Sequence, residues 1–309
     1  MRPRRIVTLG FVVLIVVALA ACTRARGAQA TPAAGEVIVH GGTPVPAIAG
    51  EYVLDLASGG GQRSARLHLP PAVTDGAALP LVISLHGYNS NAAQQERLSQ
   101  MSAKADAAGF VAAYPEGIGN PQEWHFGPGE GAQQDVGFIR DLIGLIERSL
   151  PIDPKRIYVT GISNGAEMSY RLACDLADRV AAFAPVAGGY LTAMDCRPSR
   201  PVPAVAFHGT ADNLLPYTGM PPLLEPVHAW AESWASRNGC CAQAKVIDQQ
   251  GDVTGEEWSE CREGADVVLY TIAGKGHSWP GSAMPAAITT KDISATDAIW
   301  DFFAAHPMP

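Results

Sequence analysis

Residues 157–168 read Ile157-Tyr-Val-Thr-Gly161-Ile-Ser163-Asn-Gly165-Ala-Glu-Met168, an apolar run that enters a GxSxG pentapeptide and leaves it as a helical pattern. The setting carries more weight than the pentapeptide, because a chain with 32 glycines matches bare GxSxG by chance. The turn must be tight enough to lift a serine hydroxyl above a sheet, and glycines on both sides remove Cβ atoms that would clash there. Ser163 is therefore the expected nucleophile, with a structural turn as the alternative.

Working outward, short and continuously apolar runs recur at 81–85, 110–114, 181–186, 202–207 and 267–272, as suits strands buried on both faces. Helical patterns lie at 91–108, 135–149, 164–177, 223–237 and 292–304. Upstream, 51–56 and 64–69 alternate apolar and polar residues around Ser58-Gly59-Gly60-Gly61 and read as an antiparallel hairpin. The alternation predicts an α/β fold: a mostly parallel central sheet in a single domain, helices on both faces, and chemistry beyond the carboxyl ends of the strands.

A serine nucleophile needs a base, and the base needs a carboxylate to fix its tautomer. With a nucleophile on a strand-to-helix turn, the chain order is Ser, Asp or Glu, then His. His228 falls in a predicted helix and His306 in the terminal tail, whereas His277 follows strand 267–272 on a glycine-rich loop. Asp212 follows strand 202–207 through His208-Gly-Thr-Ala, while Asp175 and Asp178 crowd the nucleophile helix and Asp195, Asp248, Asp252 and Asp266 lack a strand-end position. His277 is the expected base and Asp212 its orienter, with His208 a turn residue. The oxyanion donors expected here are the backbone N–H groups of Asn164 and Tyr88, the latter in the loop after strand 81–85. Trp124 and Trp279 lie in predicted loops at the same end, where their faces would bind a planar acyl group or a sugar; packing of the loops is the alternative.

Residues 1–21 combine Arg2, Arg4 and Arg5, an apolar run over 6–20 and small residues, the pattern of an export signal. The run is too short for a membrane span of about 20 apolar residues. Leu19-Ala20-Ala21-Cys22 resembles a bacterial lipobox, making Cys22 the expected lipidated N-terminus and that anchor the only contact with a membrane; ordinary signal-peptidase cleavage is the alternative. Residues 22–50, rich in Ala, Gly, Pro and Thr, are expected to form a flexible linker to a catalytic domain at 51–309. Loss of 1–21 leaves 19 basic against 30 acidic residues, a formal charge of −11 that disfavours nucleic acid as a partner. Five cysteines follow Cys22, an odd number for an oxidising compartment. They lack the CxxC or Cys/His spacing of a zinc site, so no metal or other cofactor is expected.

The stretches HGYNSNAAQ (86–94), VTGISNGAEMSYRLACD (159–175), PVAGGY (185–190), FHGTADNLLPY (207–217) and GKGHSWPG (274–281) together resemble the secreted polyhydroxybutyrate depolymerase-like and feruloyl esterase family. The similarity runs from about 50 to 306. It implies the α/β-hydrolase fold and the same triad, Ser163, Asp212 and His277. It also implies disulfides Cys174–Cys196 and Cys240–Cys261, with Cys241 the extra residue and the choice between Cys240 and Cys241 open. The implied substrate is a small or polymeric ester, cleaved through an acyl-enzyme. A feruloyl-esterase-like activity is the expectation and polyester depolymerisation the alternative; an acyltransferase or a non-catalytic binding lipoprotein would keep the same fold. Acyl specificity and oligomeric state are not written in the sequence.

Overall fold

A computed structural model describes residues 37–40 and 43–309. The expected export signal, Cys22 and the linker up to residue 36 lie outside the described residues. In chain order the elements are β1 Val37–His40, β2 Gly50–Ser58, β3 Gly61–Leu69, β4 Leu79–Leu85, α1 Ala92–Ser99, α2 Met101–Ala108, β5 Val111–Pro115, α3 Glu130–Ser149 and β6 Ile152–Ile162. There follow α4 Asn164–Asp175, β7 Ala182–Val186, β8 Ala204–Gly209, α5 Val227–Asn238, β9 Lys245–Gln250, β10 Val253–Trp258, β11 Val267–Ile272 and α6 Ala295–Ala305.

All eleven strands join one sheet in the order β1-β2-β3-β5-β4-β6-β7-β8-β11-β10-β9. From β5 to β11 the neighbours run parallel, while β2–β3, β3–β5 and the β11–β10–β9 end are antiparallel. The parallel strands need helical crossovers, and these cover both faces of the sheet. Strand periodicity divides the core accordingly. Ile157 and Val159 of β6 pack into one cluster with Ile139, Leu142 and Ile146 of α3, and Tyr158 between them packs into the other with Phe303 of α6. The Tyr158 and Phe303 rings stack at 4.7 Å. Each such large apolar side chain contributes about 1.5–3 kcal/mol by leaving water.

Two expectations about the fold are corrected. The linker drawn over 22–50 contains β1, which pairs in parallel with β2 through Val37 opposite Tyr52 and buries Val39. Its Val-Ile-Val run is a strand signal too short to stand out from its Ala, Gly and Pro surroundings. The helix read over 91–108 breaks at Gln100, whose left-handed φ of 54° ends α1 and opens α2. The hairpin β9–β10 was not anticipated, because β9 lies at a sheet edge and leaves Val246 and Ile247 exposed, without a buried face to impose alternation.

The disulfides Cys174–Cys196 and Cys240–Cys261 are both formed, and Cys241 is a free, exposed thiol. The first ties the last turn of α4 to the segment before β8, and the second closes the end of α5 onto the loop before β11. Such bridges persist in oxidising compartments. No helix among the described residues is long and apolar enough to cross a membrane.

Candidate active site

The elbow after β6 is shaped by close backbone approach. A Cβ on Gly161 would lie 2.5 Å from the Gly165 carbonyl oxygen, and one on Gly165 would lie 2.3 Å from the Leu85 oxygen and 2.5 Å from that of His86. Only glycine fits at either position, so α4 starts directly against the end of β4. Ser163 between them has φ 56° and ψ −124°, a region that residues with a Cβ rarely enter. Its N–H donates to the Val186 oxygen at 2.9 Å, and its own carbonyl accepts from Ala166 and Glu167. The serine side chain is thereby presented at the carboxyl end of the parallel strands.

Asp212 and His277 arrive from the neighbouring strands β8 and β11. A Cβ on Gly209 would lie 2.2 Å from the Lys275 oxygen, so the two loops meet because that residue has none. Oδ1 of Asp212 accepts from the Leu214 and Leu215 amides, both at 2.9 Å, and Oδ2 accepts from Nδ1 of His277 at 2.8 Å. Burial alone would raise the Asp212 pKa, but the bond from His277 and those from the two amides outweigh it and hold the carboxyl below its ordinary value. An ionised carboxylate only accepts, so Nδ1 of His277 carries the proton and Nε2 of the neutral ring is left with its lone pair. His208 donates from Nε2 to the Leu215 oxygen at 2.8 Å and lies 3.5 Å from Asp212. Burial lowers the His208 pKa, which keeps the ring neutral as a brace for the acid loop.

Ser163 and His277 line one cleft of about 500 Å³, together with Tyr88, Asn164, Leu214 and Leu215. Asn164 is the first residue of α4, where backbone N–H groups have no intrahelical acceptor. Its side chain pairs with the Trp124 backbone: Oδ1 accepts from the Trp124 N–H at 2.7 Å and Nδ2 donates to the Trp124 oxygen at 3.0 Å. Tyr88 follows Gly87 at the cleft mouth with 57% of its surface exposed. His86, beneath it, donates from Nδ1 to the Gly87 oxygen at 2.8 Å and accepts at Nε2 from the Gly117 N–H at 2.9 Å, which ties the loops after β4 and β5 together.

The two tryptophans do not face the cleft. Trp124 is 1% exposed, donates its indole N–H to the His86 oxygen and stacks on Phe138 of α3. Trp279 is equally buried and donates to Thr296 at the start of α6. Both fill the space under loops, where an indole satisfies its polar tip and buries its large apolar body. Sequence reasoning missed Glu167, which is 7% exposed and lines the cleft one helical turn beyond Ser163. Its spacing of four from the serine was the available signal.

Among the described residues one trio of possible metal ligands occurs, Glu51, His68 and Glu96, on β2, β3 and α1. His68 already uses both ring nitrogens, on Glu51 and on Asp106, which marks the trio as an ion-pair cluster.

This sheet, with a serine on a strained elbow across a cleft from a histidine bonded to a buried aspartate, has the architecture of an α/β-hydrolase. The acetyl xylan esterase of Aspergillus awamori superposes with a TM-score of 0.59 at 14% identity, over 82% of this chain and 98% of that one, a likeness of fold. The family model described as "Esterase PHB depolymerase" matches residues 63–245, and the chain belongs to that family of esterases. It is 34% identical to feruloyl esterase B of Piromyces equi over 70% of this chain, and it spans 42% of the length of that relative. It is 30% identical to NocK of Nocardia uniformis subsp. tsuyamanensis, whose name as an esterase is provisional, over 95% of this chain and 96% of the relative.

Proposed function

We propose that this chain is an exported serine carboxylic-ester hydrolase. The observation that carries the reading is the 2.8 Å bond from His277 Nδ1 to Asp212, which leaves Nε2 as a base on the cleft that Ser163 also lines. Ser163 Oγ attacks the ester carbonyl as Nε2 takes its proton, and the amides of Asn164 and Tyr88 receive the developing oxyanion. Collapse of the tetrahedral intermediate expels the alcohol, protonated by the imidazolium. Water activated by the same imidazole then releases the acid. Asp212 stays ionised throughout and stabilises the imidazolium.

Export is supported by the two disulfides, and the lipobox-like Leu19-Ala20-Ala21-Cys22 supports Cys22 as a lipid anchor. Family membership and the name of the Piromyces equi relative support two acyl classes, hydroxyalkanoate polyester and feruloyl, with methyl ferulate the expected best small substrate. The test is a hydrolysis panel of methyl ferulate, para-nitrophenyl butyrate and a hydroxybutyrate oligomer, each run beside Ser163→Ala. The variant is expected to lose about 10⁶-fold in kcat, the scale of nucleophile removal in a serine hydrolase. Turnover that survives in Ser163→Ala, or no turnover of any ester by the parent, would sink the reading.

A further inference from the structure

Among the described residues Glu167 is the one carboxyl lining the cleft, and nothing in acyl transfer uses it. It lies four residues beyond Ser163 on α4, about 6 Å along the helix axis. More than nine-tenths of its surface is buried, yet it reaches the cleft that holds Ser163 and His277. Room for the carboxyl exists because residue 189 is glycine, where a Cβ would fall 2.8 Å from Oε1. Its polar neighbours are the side-chain amide of Asn164 and the backbone N–H of Gly189. Both act as donors, since Asn164 already commits its carbonyl oxygen to Trp124. Burial, only partly offset by these two bonds, raises the Glu167 pKa to about 8. At neutral pH the group is therefore a carboxylic acid, with an O–H to donate on the cleft wall.

We propose that Glu167 is a specificity-determining residue, donating its O–H to an uncharged ether, hydroxyl or ester oxygen on the acyl part of the substrate. The inference rests on the serine-hydrolase reading and adds to it a point of selection beside the apolar side chains Leu98, Ile162, Leu214 and Leu215 of the cleft. Ionisation of Glu167 removes the donor, so the selection fades as pH rises through about 8. The titratable groups that face it are Tyr88 and His277 across the cleft and Tyr190 after β7, the last held neutral by burial. Any contribution from these persists in Glu167→Gln, so comparison with that variant isolates the carboxyl.

The experiment compares kcat/KM within two substrate pairs, each exchanging one oxygen for a methylene group: para-nitrophenyl 3-methoxypropionate against its isostere para-nitrophenyl valerate, and methyl 3-methoxycinnamate against methyl 3-ethylcinnamate. The pairs place the acceptor near to and far from the attacked carbonyl. Ratios are read for the parent chain, Glu167→Gln and Glu167→Leu at pH 6.5 and 9, so intrinsic ester reactivity cancels. At pH 6.5 the ratio for at least one pair is expected to fall about fivefold in Glu167→Leu, the scale of one hydrogen bond. Glu167→Gln, which keeps an N–H donor, is expected to retain that ratio at both pH values, whereas the parent loses it at pH 9. Ratios in Glu167→Leu within twofold of the parent for both pairs, or equal losses in Gln and Leu, would overturn the proposal. No Ser163-dependent turnover of any of the four esters would overturn both it and the reading beneath it.

Discussion

Ser163 and the Asp212–His277 pair stand on the same cleft but are held there by different forces. On the serine side, position follows from contact: two glycines let α4 press against the carbonyls of Leu85 and His86, and the backbone at Ser163 is bent into a region it would otherwise avoid. On the acid and base side, position follows from hydrogen bonds. Asp212 takes two amides on one oxygen and the imidazole on the other, and His208 braces the loop from behind. A steric constraint is all or nothing at a single methyl group, while a hydrogen-bonded one can be altered one atom at a time.

Of the changes that test this contrast, the largest expected effect breaks the hydrogen-bonded side. In Asp212→Asn the remaining oxygen can still accept from Leu214 and Leu215, but the new amide turns a donor towards His277 and favours the wrong tautomer. A loss of about 10⁴ in kcat with unchanged circular dichroism is expected; a loss under tenfold would remove Asp212 from the triad. Next, Gly165→Ala breaks the steric side. Its methyl group overlaps two carbonyl oxygens, and destabilisation of about 4 kcal/mol or more is expected in urea titration. Gly137→Ala in α3 is the control. Nothing lies within 4 Å of the added Cβ, so that change should be neutral or stabilise by about 1 kcal/mol. Equal behaviour of the two variants would show that the elbow is not sterically locked. The smallest effect sharpens the contrast: Tyr88→Ala removes an exposed ring and keeps the amide, so kcat on a small ester should stay within about threefold. A drop of 10²–10³ would mean that the side chain, not the N–H, serves the oxyanion.

Much of this arrangement was legible in the chain itself. Continuous apolar runs located the parallel strands because burial on both faces leaves no room for alternation, and chain order then selected Asp212 and His277 from many acids and several histidines. Where the reading failed, the missing knowledge was direction. Loop position placed Trp124 and Trp279 at the correct end of the sheet, but it could not tell that their indole N–H groups turn inward to His86 and Thr296. The burial of Glu167 was not legible, since its neighbour Gly189 lies 22 positions away and is brought beside it only by the crossover from α4 to β7 and its loop. The edge strand β9 was lost for a related reason, as it has no buried position to set a pattern.

The backbone angles of Ser163 have a further consequence for how this chain could change over time. A residue with a Cβ held at that conformation costs on the order of 1–3 kcal/mol, and glycine would relieve most of it. The centre of the site is thus a place where folding and chemistry want different amino acids. Variants selected only for heat resistance would drift towards glycine at position 163, and the hydroxyl would persist only where ester turnover is itself under selection.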